Sequence, residues 1–181
     1  MMERASAPSR SVASDGTARL LRFSDGNPEG APVLLVPSLI NRWYVLDLRP
    51  QTSVVRSLCE AGFDVFCLDW GEPNDEDRYL GWDDVVARLL RMRRKVSRIR
   101  QGEPLGLLGY CVGATLGTIA TAIEPEGVSA LVNLAGPIDF SKAGFLGHMT
   151  NPRWFDPEAI ASAGNMSAQM MQSGFISLRP T

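Results

Sequence analysis

The sequence predicts an α/β fold in which helices cover both faces of a mostly parallel sheet. Short apolar runs alternate with amphipathic helical stretches along most of the 181 residues. The apolar runs lack polar alternation, as expected for strands buried on both faces of a parallel sheet. Hydrophobic residues make up 45% of the chain and charged residues 21%, which excludes wholesale disorder and gives one domain a sizeable core.

The elements are predicted in a regular order along the chain. Residues 1–18 are rich in Ser, Ala and Arg and lack an apolar run, so we expect a flexible tail there. A short edge strand is expected at residues 19–23. Strands are predicted at residues 33–36, 63–70, 105–108 and 128–134, and those at 33–36 and 63–70 are expected to be buried. Helices are predicted at residues 50–61, 82–100, 111–123 and 157–172.

Charge and cysteine usage exclude several classes of protein. The 18 basic and 20 acidic residues give a net charge of −2, which argues against a general nucleic-acid binder. Seven basic residues lie on the predicted helix 82–100, where a solvated outer face explains them. Three cysteines without a CxxC pair argue against a disulfide framework or a zinc site. No signal peptide or membrane span is predicted, so we expect a soluble cytoplasmic protein.

The sharpest motif is the stretch GYCVG at residues 109–113, between a predicted strand and a predicted helix. It has the G-x-S-x-G form of a nucleophile elbow, with Cys111 in place of serine. Gly109 and Gly113 are required because side chains there would collide across the tight turn. The turn exposes the sulfur at the carboxyl ends of the strands, and the helix N-terminus favours the thiolate. The backbone N–H of Val112 is the expected first oxyanion donor.

The loop at residues 37–42, after the first buried strand, is expected to supply the second oxyanion N–H, from Ile40. The alternative is that this loop is a plain connection. The other two thiols, Cys59 and Cys67, lie in a predicted helix and a predicted buried strand, and we interpret both as core residues. A buried cysteine in a glycine-rich turn is the alternative for Cys111 itself.

Two further residues are candidate partners of the thiol. His148 is the chain's one histidine, but it precedes irregular sequence, and a structural or surface role is favoured. Asp139 follows the fourth predicted strand and is a candidate triad acid, although a role in capping a helix or holding a loop in place is favoured. No GxGxxG, Walker loop or metal-ligand cluster is present, so no cofactor and no metal are predicted.

Several stretches in this order resemble poly(3-hydroxyalkanoate) synthase, a cysteine acyltransferase of the α/β-hydrolase fold. The matching stretches are PSLINRWYVLDL at 37–48, VFCLDWG at 65–71, WDD at 82–84, LGYCVGA at 108–114 and PIDF at 137–140. Residues 164–180 resemble the cap region of the synthases, closest to the two-subunit class. The resemblance runs from about residue 31 to the last residue.

The resemblance implies a reaction and its partners. An (R)-3-hydroxyacyl-CoA acylates Cys111, coenzyme A leaves, and a hydroxyl attacks the thioester so that a polyester chain grows. The implied partners are hydroxyacyl-CoA, the polyester, and a second synthase subunit or a second copy of the chain. The implied location is the cytoplasm, at polyester granules. Alternatives are a cysteine-centred thioesterase or hydrolase of the same fold, and a non-catalytic truncated homologue.

The family's aspartate and histidine lie downstream of the cap, so the resemblance transfers only Cys111 as a catalytic residue. We therefore expect an amino-terminal part of a synthase. Its expected parts are a tail at 1–18, a hydrolase core at 19–145 whose carboxyl-terminal strands are missing, and the start of a cap at 146–181. On this interpretation, the 181 residues alone make little or no polymer.

Overall fold

The computed structural model describes residues 7–23, 25–142, 144, 147–148, 151–153, 155–162 and 164–177. These residues form two compact units. The first contains Met1–Glu72 and Gly81–Pro137, and the second contains Pro73–Leu80 and Ile138–Thr181. The chain leaves the first unit at Pro137, and residues 73–80 also belong to the second unit. The domain boundary after residue 145 stays a prediction.

The first unit holds all eight described strands and three α-helices. In chain order these are β1 (Ser9–Asp15), β2 (Ala18–Phe23), β3 (Pro32–Val36), β4 (Asp47–Arg49), β5 (Thr52–Ser53), α1 (Val54–Glu60), β6 (Asp64–Asp69), α2 (Trp82–Ile99), β7 (Leu105–Tyr110), α3 (Val112–Ile123) and β8 (Val128–Leu134). A 3-10 helix at Trp43–Leu46 precedes β4. The predicted alternation of strands and helices is confirmed.

Six of these strands form one sheet in the order β1-β2-β6-β3-β7-β8, while β4 and β5 form a separate antiparallel pair. The neighbours β6–β3, β3–β7 and β7–β8 are parallel, whereas β1 and β2 are antiparallel additions at one edge. In the register of the centre, Val33 lies opposite Val65 on one side and Gly106 on the other. The four predicted strands are therefore parallel, as expected. β3 and β6 are buried along their whole length, whereas β8, at the edge of the sheet, is mostly exposed.

Two apolar clusters cover the two faces of this sheet. Because side chains alternate along a strand, Val33 and Leu35 of β3 pack with α1, while Leu34 and Val36 pack with α2 and α3. Residues of β6 divide in the same way between the two clusters. Each fully buried leucine contributes about 1.5–3 kcal/mol. Helices therefore lie on both faces, as predicted.

The expected flexible tail at residues 1–18 is wrong for the part that forms β1. Backbone pairing with β2 holds it, with a register irregularity between Ser11 and Ala13. Two side chains of α2 add to this: Arg91 Nε donates to the Asp15 carboxylate at 2.6 Å, and Lys95 Nζ donates to a backbone carbonyl of β1 at 2.8 Å. The strand predicted at 19–23 consequently lies inside the sheet, not at its edge.

Among the described residues, the second unit contains the short α-helices α4 (Pro157–Ser162) and α5 (Ala168–Ser177), and 3-10 helices at Glu76–Tyr79 and Phe140–Lys142. A single helix at 157–172 was predicted. It is interrupted because Gly164 has φ +96, which a right-handed helix does not allow. Asn165 joins the two stretches of this unit, because its Nδ2 lies 3.4 Å from both the Pro73 and the Asn74 carbonyl oxygens.

Candidate active site

The turn between β7 and α3 places Cys111 in a backbone conformation that L-residues rarely adopt. Its φ is +56 and its ψ is −130. Such a conformation costs on the order of 1–3 kcal/mol and persists only where the surroundings impose it. Here the Cys111 N–H donates to the Leu134 carbonyl at 2.9 Å, and the Ala114 N–H donates to the Cys111 carbonyl at 2.8 Å. The side chain is partly exposed, as expected of a nucleophile on a strained strand-to-helix turn.

The glycines of the motif are required by close backbone approaches. A Cβ at Gly109 would lie 2.3 Å from Ala114 Cα, and a Cβ at Gly113 would lie 2.1 Å from the Val36 carbonyl oxygen. The neighbouring Gly136 is similarly confined, because its Cβ would lie 2.5 Å from Ala114 Cβ. The first turn of α3 therefore packs directly against the ends of β3 and β7, and this contact fixes the position of the elbow.

The loop at residues 37–42 begins beside the elbow. Its Ser38 is fully buried, and the Ser38 hydroxyl accepts a hydrogen bond from the Ile40 N–H at 3.1 Å. The Ile40 amide is thus engaged within its own loop, and it can serve an oxyanion only by exchanging that bond. Val112 is the first residue of α3, so its N–H has no partner within the helix. The roles predicted for Ile40 and Val112 stay predictions.

Contacts that the sequence reasoning missed connect this loop to the end of β6. Trp70 Nε1 donates to the Pro37 carbonyl at 2.9 Å. Arg42 donates through Nη1 to the Gly71 carbonyl at 2.9 Å and through Nη2 to the Glu72 carboxylate. Trp70 directly follows β6, a neighbour of β3 in the sheet. This position is the one sequence signal from which its contact with Pro37 was predictable.

The three thiols have different surroundings. Cys59 and Cys67 are buried in the apolar cluster between the sheet and α1, which confirms that both are core residues. Burial raises the pKa of the Cys59 thiol to about 11. Burial also raises the pKa of the Cys67 thiol, which is fully enclosed. A buried thiol of raised pKa is a poor nucleophile, so Cys111 is the thiol of this chain that is suited to attack.

The candidate partners of the thiol belong to the second unit, whereas Cys111 belongs to the first. Asp139 accepts hydrogen bonds from the Ser141 N–H at 3.1 Å and the Ser141 hydroxyl at 2.5 Å, at the start of a 3-10 turn. The hydroxyl contact lowers the pKa of the Asp139 carboxyl. These contacts fit the favoured role of Asp139 in holding its own turn, and that role stays a prediction. The side chain of His148 is exposed, and its backbone N–H donates to the Gly144 carbonyl.

Among the described helices, none is long and apolar enough to cross a membrane. Across the same part of the chain, no group of three or more His, Cys, Asp or Glu side chains is placed to hold a metal ion.

The family follows from the order of strands and from the elbow. A model of the alpha/beta hydrolase fold matches residues 31–179, and the chain belongs to this family. Solved structures share the fold at low identity. An esterase of Pyrococcus furiosus matches with a TM-score of 0.58 and 17% identity, over 87% of this chain and 59% of that protein. A thioesterase domain from the curacin biosynthetic pathway matches with a TM-score of 0.55 and 18% identity, over 80% and 51%.

Within that family, the chain is similar over nearly its whole length to poly(3-hydroxyalkanoate) polymerase subunits named PhaC. The subunit of Haloferax mediterranei is 36% identical over 178 residues, which cover 96% of this chain and 36% of the relative. The subunit of Haloarcula marismortui is 37% identical over 92% and 36%, and that of Allochromatium vinosum is 30% identical over 96% and 50%. The chain thus spans between a third and half of the length of these relatives. The resemblance expected from the sequence motifs is confirmed.

Proposed function

We propose that this chain is the nucleophile-bearing part of a poly(3-hydroxyalkanoate) polymerase, and that Cys111 carries the acyl group as a thioester. The observation that supports the proposal best is a cysteine at φ +56 in the elbow, where the family motif has serine. A thiolate suits exchange with a coenzyme A thioester, because the attacking and leaving groups are then both sulfur. The names of the similar relatives supply the polyester as the product.

In the first half-reaction, the Cys111 sulfur attacks the carbonyl carbon of an (R)-3-hydroxyacyl-coenzyme A. The carbonyl oxygen takes the electron pair of the carbonyl double bond, and the N–H groups of Val112 and Ile40 are our candidates to stabilise that charge. When the tetrahedral intermediate collapses, the bond between carbon and the coenzyme A sulfur breaks. Coenzyme A leaves as a thiolate, and the acyl group stays on Cys111.

In the second half-reaction, a hydroxyl oxygen attacks the carbonyl carbon of the Cys111 thioester. A new ester bond forms, the cysteine thiolate leaves, and the hydroxyl proton passes to a base. The family resemblance implies a histidine for this base, and we assign that role to no residue of this chain. Both half-reactions are exchanges of an activated acyl group, so the proposal requires no cofactor.

The proposal extends to the surroundings of the reaction. Similar relatives are named as polymerase subunits, and we infer that this part of a polymerase assembles with a second synthase subunit or a second copy. A growing polyester is insoluble, so we place the reaction at the surface of polyester granules.

The test is to mix the 181-residue chain with an (R)-3-hydroxyacyl-coenzyme A and follow the intact mass. We expect a single acyl adduct on the wild-type chain, released coenzyme A in equal amount, and no adduct on Cys111→Ala. Cys59→Ala is the matched control, since it removes a buried thiol and should keep the adduct. A wild-type chain that never forms the adduct would refute the proposal. Free hydroxy acid accumulating without any polyester, even with a completing subunit present, would favour a hydrolase.

A further inference from the structure

The loop at residues 37–42 is tied at both ends to the segment that follows β6. Near its start, Trp70 Nε1 donates to the Pro37 carbonyl at 2.9 Å. At its end, Arg42 donates to the Gly71 carbonyl at 2.9 Å and pairs with Glu72. We call these contacts of Trp70 and Arg42 the loop brace.

The first contact of the loop brace acts directly beside the nucleophile. A Cβ at Gly113 would lie 2.5 Å from the Pro37 carbonyl oxygen, so Pro37 packs against the first turn of α3. The same carbonyl oxygen accepts the Trp70 indole N–H. Pro37 is therefore held between Trp70 and the helix that begins immediately after Cys111, and any shift of Pro37 changes the start of the loop relative to the thiol.

The second contact of the loop brace ends on a rigid acceptor. Gly71 has φ +79, and a Cβ there would lie 2.2 Å from the Thr17 carbonyl oxygen in the turn between β1 and β2. The Gly71 N–H donates to Asp69 Oδ1 at 3.0 Å, and Asp69 is itself buried and paired with Arg19 at 2.7 Å. Arg42 thus connects the end of the loop to a backbone carbonyl that the sheet edge holds in place.

The backbone acceptor is the more important partner of Arg42. The side chains of Arg42 and Glu72 are 41% and 81% exposed, and an ion pair between such groups contributes little in water. A hydrogen bond from a guanidinium to a fixed carbonyl is directional, and it restricts the loop whatever the salt concentration.

We propose that the loop brace positions the loop, and with it the Ile40 amide, for acyl transfer to Cys111. This inference rests on the function proposed above. Arg42 and Trp70 are positioning residues, because they act through the loop and not on the substrate. Donors to a developing oxyanion lose their effect steeply with distance, and a displacement of about 1 Å can slow a reaction on the order of 100-fold.

Two reagents separate this role from general damage to the site. Acyl transfer from a coenzyme A thioester passes through an oxyanion, whereas iodoacetamide alkylates a thiolate by direct displacement and forms none. We expect Arg42→Ala and Trp70→Phe to slow acylation of Cys111 by about tenfold to 100-fold and to leave alkylation within about twofold. Arg42→Lys should recover part of the acylation rate, because lysine can still donate to one oxygen.

The matched control is Arg91→Ala. Arg91 has a similarly exposed guanidinium, 48% against 41%, in an ion pair with Asp15 far along α2. This variant should keep both rates. Equal acylation by the wild-type chain and Arg42→Ala would overturn the inference, and so would an equal fall of acylation and alkylation.

Amide hydrogen exchange tests the loop brace without relying on acylation of Cys111. If the wild-type chain is alkylated but never acylated, the proposed function fails, and amide hydrogen exchange over residues 37–42 then decides about the loop brace. Faster exchange in Arg42→Ala than in Arg91→Ala would support it. Unchanged exchange would overturn it.

Discussion

The change Gly113→Ala adds one methyl group at the tightest point of the elbow. The new Cβ would lie 2.1 Å from the Val36 carbonyl oxygen and 2.5 Å from that of Pro37. Carbon and carbonyl oxygen normally approach no closer than about 3.3 Å. Both oxygens belong to the backbone, so no side-chain rotation relieves the clash. The end of β3 and the start of α3 must therefore separate by about 1 Å.

The cost follows from the size of that displacement. Overpacking by one methyl group typically destabilises a protein by about 1–3 kcal/mol. The backbone on both sides can move only slightly to relieve the clash, so we expect a loss of about 2 kcal/mol in the free energy of unfolding, the middle of that range. For a domain of this size the melting temperature then falls by roughly 4–8 °C. Acylation of Cys111 should fall as well, because the elbow and the loop at 37–42 move apart.

Urea denaturation followed by circular dichroism measures the first effect, and intact mass after exposure to an acyl-coenzyme A measures the second. The control is Gly174→Ala in α5, where an added Cβ meets nothing within 4 Å. Alanine is the better helix former by up to about 1 kcal/mol, so the control should not lower stability. A Gly113→Ala chain that unfolds at the wild-type urea concentration and is acylated at the wild-type rate would refute the packing argument.

Reactivity should distinguish the three thiols: at pH 8, iodoacetamide is expected to label Cys111 and spare Cys59 and Cys67, because a pKa of about 11 leaves roughly one Cys59 in a thousand ionised. Peptide mass spectrometry checks this, and equal labelling of all three would contradict it. The raised pKa of Cys59 also predicts a dependence of stability on pH. The contribution of this neutral, buried thiol to the free energy of unfolding is fully present below pH 9, the ordinary pKa of the thiol, and is lost as pH rises towards about 11. Within that window, ionisation of this thiol in the unfolded chain lowers the free energy of unfolding by about 1.4 kcal/mol per pH unit. Urea denaturation at several pH values should therefore show a weaker dependence of this free energy on pH in Cys59→Ala than in the wild-type chain. Ser53→Ala should cost about 2 kcal/mol, because Ser53 caps α1 and donates at 2.6 Å to the buried Asp47; an unchanged urea midpoint would show that other groups replace it.

The buried centre of the sheet was predictable because its signals are local. Residues 33–36 and 65–68 are apolar on both faces, which is typical of strands between two helical layers. The elbow at residues 109–113 was predictable because its glycines have a steric cause. Strand β1 was not predictable, since its sequence SRSVASD is polar and its pairing partner and its contacts with α2 lie elsewhere in the chain.

The contacts around the thiol were not predictable from the sequence for a different reason. The Ile40 N–H donates to the Ser38 hydroxyl, although the same N–H could instead donate to an oxyanion of the substrate. The sequence of the loop is identical in the two cases, so it does not predict which acceptor is used. The contact between Arg42 and Gly71 joins two loops that are 29 residues apart, so no short pattern contains both. Hydropathy alone does not report such contacts.

The position of β3 between β6 and β7 has a consequence for how the chain is made. During synthesis, β3 leaves the ribosome before either neighbour, and β7 follows it by roughly 70 residues, or about 4–14 s at typical translation rates. Its other neighbour, β6, is translated earlier and can already pair with it, but until β7 appears the second edge of Val33–Val36 has no partner strand, and an unpaired apolar strand edge is prone to aggregation. The loop at residues 37–42 directly follows β3. A nascent chain therefore cannot bring this loop beside the turn at Cys111 until β7 and the start of α3 have been translated.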